Sequence, residues 1–114
     1  MMLKILHNPR CRKSRETLNL IQEKGTEVEI VEYLKEAPSV DELRSILEML
    51  QLNPEQLLRK GEAVFKENFK GKDLTEEEWI EAMASNPVLI ERPIVIKGNR
   101  AVIGRPPENV KELL

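Results

Sequence analysis

Cysteine is the scarcest informative residue in this sequence: Cys11 is the only one among 114 residues. A single thiol excludes an internal disulfide and any metal site built on several cysteines, so no metal is expected, and a reducing, cytoplasmic setting is. Aromatic residues are nearly as few, with one Trp, one Tyr and two Phe. None of them falls in residues 1–15 or 92–107, where basic residues stand without acidic ones, which leaves a stacking platform for single-stranded nucleic acid without support. Long apolar runs are missing too. Nothing approaches the roughly 20 apolar residues of a membrane-spanning helix, and the N-terminus lacks the apolar region of a secretory signal. At this length one compact domain over residues 1–114 is expected, as a monomer, with no membrane or nucleic-acid partner.

Acidic residues are absent from two particular windows. Residues 1–15 hold Lys4, Arg10, Arg12, Lys13 and Arg15, and residues 92–107 hold Arg92, Lys97, Arg100 and Arg105, with no Asp or Glu in either. Of the 18 basic residues, these nine leave nine others against all 20 acids, so a formal net charge of −2 conceals a remainder of −11. Two solvated basic faces are the simple outcome; an anion site results if the fold brings the windows together.

Leu3 to Leu6 is a short apolar strand that ends where Pro9 removes a backbone donor, and a helix is expected from Arg10–Arg12 to about Gly25. Glu27 to Tyr33 alternates with period two and reads as a second strand, completing a βαβ unit. From about 38 to 86 the chain reads as helical. Ser39 with Glu42 forms a capping box, Asn53-Pro54 opens a second helix, Thr75 opens a third, and 61–72 stays undecided. Ile94–Ile96 and Ala101–Ile103 flank Gly98-Asn99 as a hairpin, and Glu108 to Leu114 suits a short terminal helix with Val110, Leu113 and Leu114 inward. Trp79, Phe65, Phe69, Met49 and Met83 are core candidates. The order βαβ, helical block, ββα is that of an α/β thioredoxin-like fold, a mixed sheet with a helical insertion at about 38–86. In such a sheet Pro93 occupies the position of a cis-proline beside the redox residue.

Cys11 follows a strand and opens a helix, where unpaired N–H groups and the helix dipole favour a thiolate. Arg10, Arg12 and Lys13 beside it disfavour an inert apolar burial. Ser14 stands one turn later, where a C-x-x-C motif has its second cysteine. Its hydroxyl can hydrogen-bond a thiolate and cannot form a disulfide, so oxidation of Cys11 requires a thiol from another molecule. His7 is a candidate base or electrostatic partner, although nearby cations disfavour its imidazolium. Arg59, Arg92 and Arg105 each lie in an apolar or proline-bounded context and need anionic partners, either glutamates or a bound oxyanion.

His7-Asn8-Pro9-Arg10-Cys11-Arg12-Lys13-Ser14-Arg15, Leu57-Leu58-Arg59-Lys60, Pro87 to Val95 and Gly104-Arg105-Pro106 together resemble the glutathione- and glutaredoxin-dependent arsenate reductase family, over essentially the whole chain. The resemblance implies that Cys11 is the nucleophile, that Arg59, Arg92 and Arg105 bind the oxyanion, and that His7, Ser14 and Arg15 tune the thiolate. It further implies arsenate as substrate, glutathione as co-substrate, glutaredoxin as partner and no bound cofactor. Arsenate is then reduced to arsenite through a covalent Cys11 adduct. Arg12-Lys13 departs from the small neutral pair that the best-known members carry between cysteine and serine. Two alternatives stand beside this reading. One is a redox-linked regulatory protein of the same superfamily, resembling regulators that bind RNA polymerase, which typically use the disulfide switch that Ser14 precludes. The other is a general glutaredoxin-like thiol exchanger, which needs no oxyanion arginines.

Overall fold

The computed structural model describes residues 2–114, and the chain divides into two compact units. One contains the chain up to Glu36 together with Arg92–Leu114, and the other is Ala37–Glu91.

The first unit is built on a four-stranded mixed sheet of order β2-β1-β3-β4. Strand β1 (Leu3–His7) pairs in parallel with β2 (Val28–Glu32), placing Leu3 opposite Val28 and His7 opposite Glu32. On its other side β1 runs antiparallel to β3 (Ile94–Lys97), which forms a hairpin with β4 (Arg100–Ile103). The two-residue turn places Gly98 at φ 61°, a conformation glycine adopts without steric cost. Helix α1 (Arg12–Glu23) connects β1 to β2 and ends before Gly25, which takes φ 71° as the helix-terminating glycine. The thioredoxin-like α/β arrangement expected from the sequence is the one observed.

The core of this unit joins Leu3 and Ile5 of β1, Ile21 of α1, Val95 of β3, and Val110 and Leu113 of a C-terminal 3-10 helix (Pro107–Leu113). Full burial of each such aliphatic side chain is worth about 1.5–3 kcal/mol. On α1 the buried residues are Ser14, Thr17 and Ile21, one helical face whose first two members are polar. That face supports the chemistry described below. The edge position of β2 leaves Ile30 46% exposed despite its apolar side chain.

The second unit holds α2 (Val40–Leu50), α3 (Pro54–Leu57), α4 (Ala63–Asn68), α5 (Glu76–Ser85) and a 3-10 turn (Pro87–Leu89). Reciprocal capping boxes open three of these helices: Ser39 with Glu42, Asn53 with Gln56, and Thr75 with Glu78. Leu43, Ile46 and Leu47 of α2, and Trp79, Ile80 and Met83 of α5, are buried where the two helices pack. Phe65, Phe69 and Trp79 form an aromatic cluster with ring centroids 6.0–6.4 Å apart.

Several core expectations need correction. Met49 and Phe69 are half-buried rather than fully enclosed. Leu114 is 37% exposed rather than turned inward. The terminal helix is 3-10: Asn109 N–H reaches Pro106 O and Leu114 N–H reaches Lys111 O, the three-residue spacing of that helix.

Candidate active site

Cys11 is the N-cap of α1, in extended conformation, with its own N–H donating to Asn8 O at 2.9 Å. The turn before it is fixed locally. Asn8 Oδ1 accepts from Arg10 N–H at 3.0 Å, and the exposed Arg15 guanidinium donates to Pro9 O at 3.0 Å. Pro9 ends the strand, and the Asn8 side chain closes the turn that sets the sulfur over the first turn of α1. Cys11 is 8% exposed.

Ser14 is fully buried beneath it. Its Oγ accepts the Asn8 backbone N–H at 3.0 Å and lies 2.6 Å from His7 Nδ1. The hydroxyl thus serves the strand end and the loop, while the Ser14 backbone N–H is the group that acts on the sulfur. Burial holds His7 below its ordinary range, with Glu32 opposing the shift and Arg15 adding to it. Burial, more than the nearby cations, is what disfavours the imidazolium.

Two arginines from the distant basic window meet the thiol. Arg105 Nη2 lies 3.3 Å from Cys11 Sγ, while its Nε donates to Arg92 O at 2.7 Å. Arg92 hydrogen-bonds the sulfur through its own side chain. Each arginine precedes a cis-proline, Pro93 and Pro106, the former at the expected position. Burial pushes the Cys11 thiol up, but the Ser14 N–H, the Arg92 hydrogen bond and the charges of Arg92 and Arg105 together hold it below its ordinary value.

The residues singled out in the sequence therefore fall as follows. His7, Cys11, Ser14, Arg15, Arg92 and Arg105 belong to the first unit, and Cys11, Arg92 and Arg105 converge there. The cations that act on the sulfur come from the C-terminal window. Arg12 and Lys13, its neighbours in sequence, are exposed on α1 and pair with Glu16 at 2.8 and 3.9 Å. Arg59 belongs to the second unit. There its N–H donates to Leu89 O at 2.7 Å, and its half-buried guanidinium bridges Glu62 at 3.2 Å and Glu91 at 2.6 Å. Sequence reasoning overlooked Asn8, Thr17 and Asn109, which organise the loops around the thiol. The available signal was positional: Asn8 precedes the turn, and Thr17 is three residues after Ser14 on the same helical face.

A thioredoxin-like sheet thus carries, at a helix N-cap, a cysteine backed by two arginines. Residues 6–113 match the ArsC family, and the chain belongs to that family. It is 45% identical to an arsenate reductase of Haemophilus influenzae, with all of both chains covered. It is 49% identical to the uncharacterized Escherichia coli protein YfgD over 98% of this chain and 96% of the relative. The solved structure of an arsenate reductase from Vibrio cholerae superposes with a TM-score of 0.94 at 43% identity, covering 100% of this chain and 98% of that one. No helix among the described residues is long and apolar enough to cross a membrane.

Proposed function

We propose that this protein reduces arsenate to arsenite, with Cys11 as the nucleophile and Arg92 and Arg105 as oxyanion ligands. The observation that carries this reading is the 3.3 Å approach of Arg105 Nη2 to the Cys11 sulfur, with Arg92 on the same atom. A thiolate stabilised this way is nucleophilic at neutral pH, and two guanidinium forks beside it suit a tetrahedral dianion. The named relatives from Haemophilus influenzae and Vibrio cholerae agree with this substrate.

The Cys11 thiolate attacks arsenic(V); an S–As bond forms, an As–O bond breaks, and the departing oxygen takes up protons and leaves as water. Arg92 and Arg105 neutralise the charge of the bound oxyanion and of the crowded transition state. Arsenic(V) becomes arsenic(III) by gaining an electron pair, which two external thiols supply as they become one disulfide; water then displaces the Cys11 sulfur from arsenic(III), which frees arsenite and returns the thiol. Glutathione as co-substrate, with glutaredoxin taking up the glutathione moiety, meets that requirement, and no bound cofactor is needed. Ser14 and His7 keep the helix start fixed, and Arg15 fixes the Pro9 carbonyl. Arg59 is carried as a third oxyanion ligand by the family resemblance alone.

The test is arsenite formation from arsenate in the presence of glutathione, glutaredoxin and glutathione reductase. Wild type is expected to turn over, Cys11→Ser to be inactive, and Arg92→Ala, Arg105→Ala and Arg59→Ala each to raise KM for arsenate. A wild type that releases no arsenite overturns the substrate assignment. If it instead exchanges thiols on glutathionylated peptides, the site is a general thiol exchanger.

A further inference from the structure

Where β4 ends, the chain leaves the sheet and turns toward the thiol, and three consecutive carbonyls there are each met by a side chain from elsewhere. Asn109 Nδ2 donates to Ile103 O at 3.2 Å and to Arg105 O at 3.1 Å. Both partners are acceptors, so the amide nitrogen is the atom that fits there. Between them, Gly104 O lies 3.3 Å from the Thr17 hydroxyl, whose single proton is shared between it and Lys13 O at 2.8 Å. Gly104 N–H in turn donates to Pro93 O at 2.9 Å.

Glycine is what allows this approach. A Cβ at position 104 would lie 2.5 Å from Thr17 Oγ1 and 2.8 Å from Pro93 Cγ, closer than side chains tolerate. Thr17 is fully buried on the same face of α1 as Ser14, so the helix that presents Cys11 also holds the segment that presents Arg105.

We propose that Asn109 and Thr17 are positioning residues for Arg105, holding the backbone of Ile103–Arg105 so that its guanidinium spans Arg92 O and the Cys11 sulfur. An arginine carries several rotatable bonds, and an unfixed one spreads over many rotamers. Fixing its backbone and one guanidinium edge leaves the other edge directed at sulfur. Neither residue touches the thiol; each acts through Arg105. The inference rests on the reading of Cys11 as an activated thiol, but it needs no arsenate to test.

The experiment is the pH dependence of Cys11 alkylation by iodoacetamide, with thermal melting followed in parallel. Asn109→Ala removes two hydrogen bonds without adding charge, and Thr17→Val removes the hydroxyl at nearly constant volume. Each is expected to raise the alkylation midpoint by about half a pH unit or more, as part of the Arg105 stabilisation is lost. Thr17→Ser, which keeps the hydroxyl, is expected to stay near wild type. In an Arg105→Ala background neither Asn109→Ala nor Thr17→Val should move the midpoint further. Where Asn109→Ala does not fold, the Thr17→Val and Thr17→Ser pair decides. A lowered melting temperature with an unchanged midpoint overturns the proposal, as does a shift of equal size without Arg105. A wild-type midpoint at the ordinary thiol value overturns instead the activated-thiol reading on which it stands.

Discussion

The Arg105 guanidinium approaches the Cys11 sulfur to 3.3 Å although the two residues are 94 positions apart. The contact joins the start of α1 to the segment after β4, and the sheet makes it possible. Strand β1 carries the chain to Cys11, and β3, paired antiparallel to β1, brings Arg92 to the same end. The hairpin then returns β4 so that Gly104-Arg105 lies beside Arg92-Pro93. Cys11 and its charge partners are thus brought together by strand order.

Replacing Arg105 should show directly in the thiol. Arg105→Ala is expected to raise the iodoacetamide midpoint by about one pH unit, toward the ordinary value near 8.5. Arg105→Lys keeps the charge but cannot span both Arg92 O and the sulfur, so an intermediate midpoint is expected. An unchanged midpoint in Arg105→Ala would remove the charge pairing from the account.

Acid should weaken the fold through His7. Its pKa is below 6.5 in the folded chain because burial penalises the imidazolium, so between that folded value and 6.5 the unfolded chain binds more protons. Stability from the neutral imidazole is present above pH 6.5 and is lost as pH falls through the folded pKa. Urea unfolding of wild type is expected to lose stability faster below pH 6.5 than that of His7→Gln. Parallel curves for the two proteins would contradict it.

At Gly104 the limit is steric. Alanine there places its Cβ against Thr17 and Pro93, and overpacking of this kind costs about 1–3 kcal/mol. Chemical denaturation of Gly104→Ala should show that loss, with a raised alkylation midpoint as Arg105 is displaced. Wild-type stability would mean that the segment has room to move.

The helix caps of the second unit make a separate prediction. Ser39 accepts from Glu42 N–H at 3.1 Å and Thr75 from Glu78 N–H at 3.2 Å, so each alanine replacement should cost about 1 kcal/mol. These changes lie in Ala37–Glu91, and the Cys11 alkylation midpoint should stay at its wild-type value.

Local rules made much of this architecture legible. Capping chemistry located the starts of α2, α3 and α5 because a side-chain oxygen and an N3 partner act within four residues, whatever surrounds them. Gly25 and the Gly98-Asn99 turn were readable because positive φ is cheap for glycine. The segment 61–72 was not, since the short α4 carries no side-chain cap and depends on Phe65 packing with Phe69 and Trp79. Leu114 was misleading because apolar spacing along a helix does not reveal what packs against each position.

By itself the sequence determined that there is one thiol, that it opens a helix after a proline-terminated strand, and that no second cysteine stands at Ser14. Those are consequences of composition and of backbone chemistry over a few residues. Which cations serve that thiol was decided only by the tertiary structure. Arg12 and Lys13, adjacent in the chain, turn outward to Glu16, because they lie off the α1 face that buries Ser14, Thr17 and Ile21. Arg92 and Arg105, remote in the chain, reach the sulfur because antiparallel pairing returns their strands to its side.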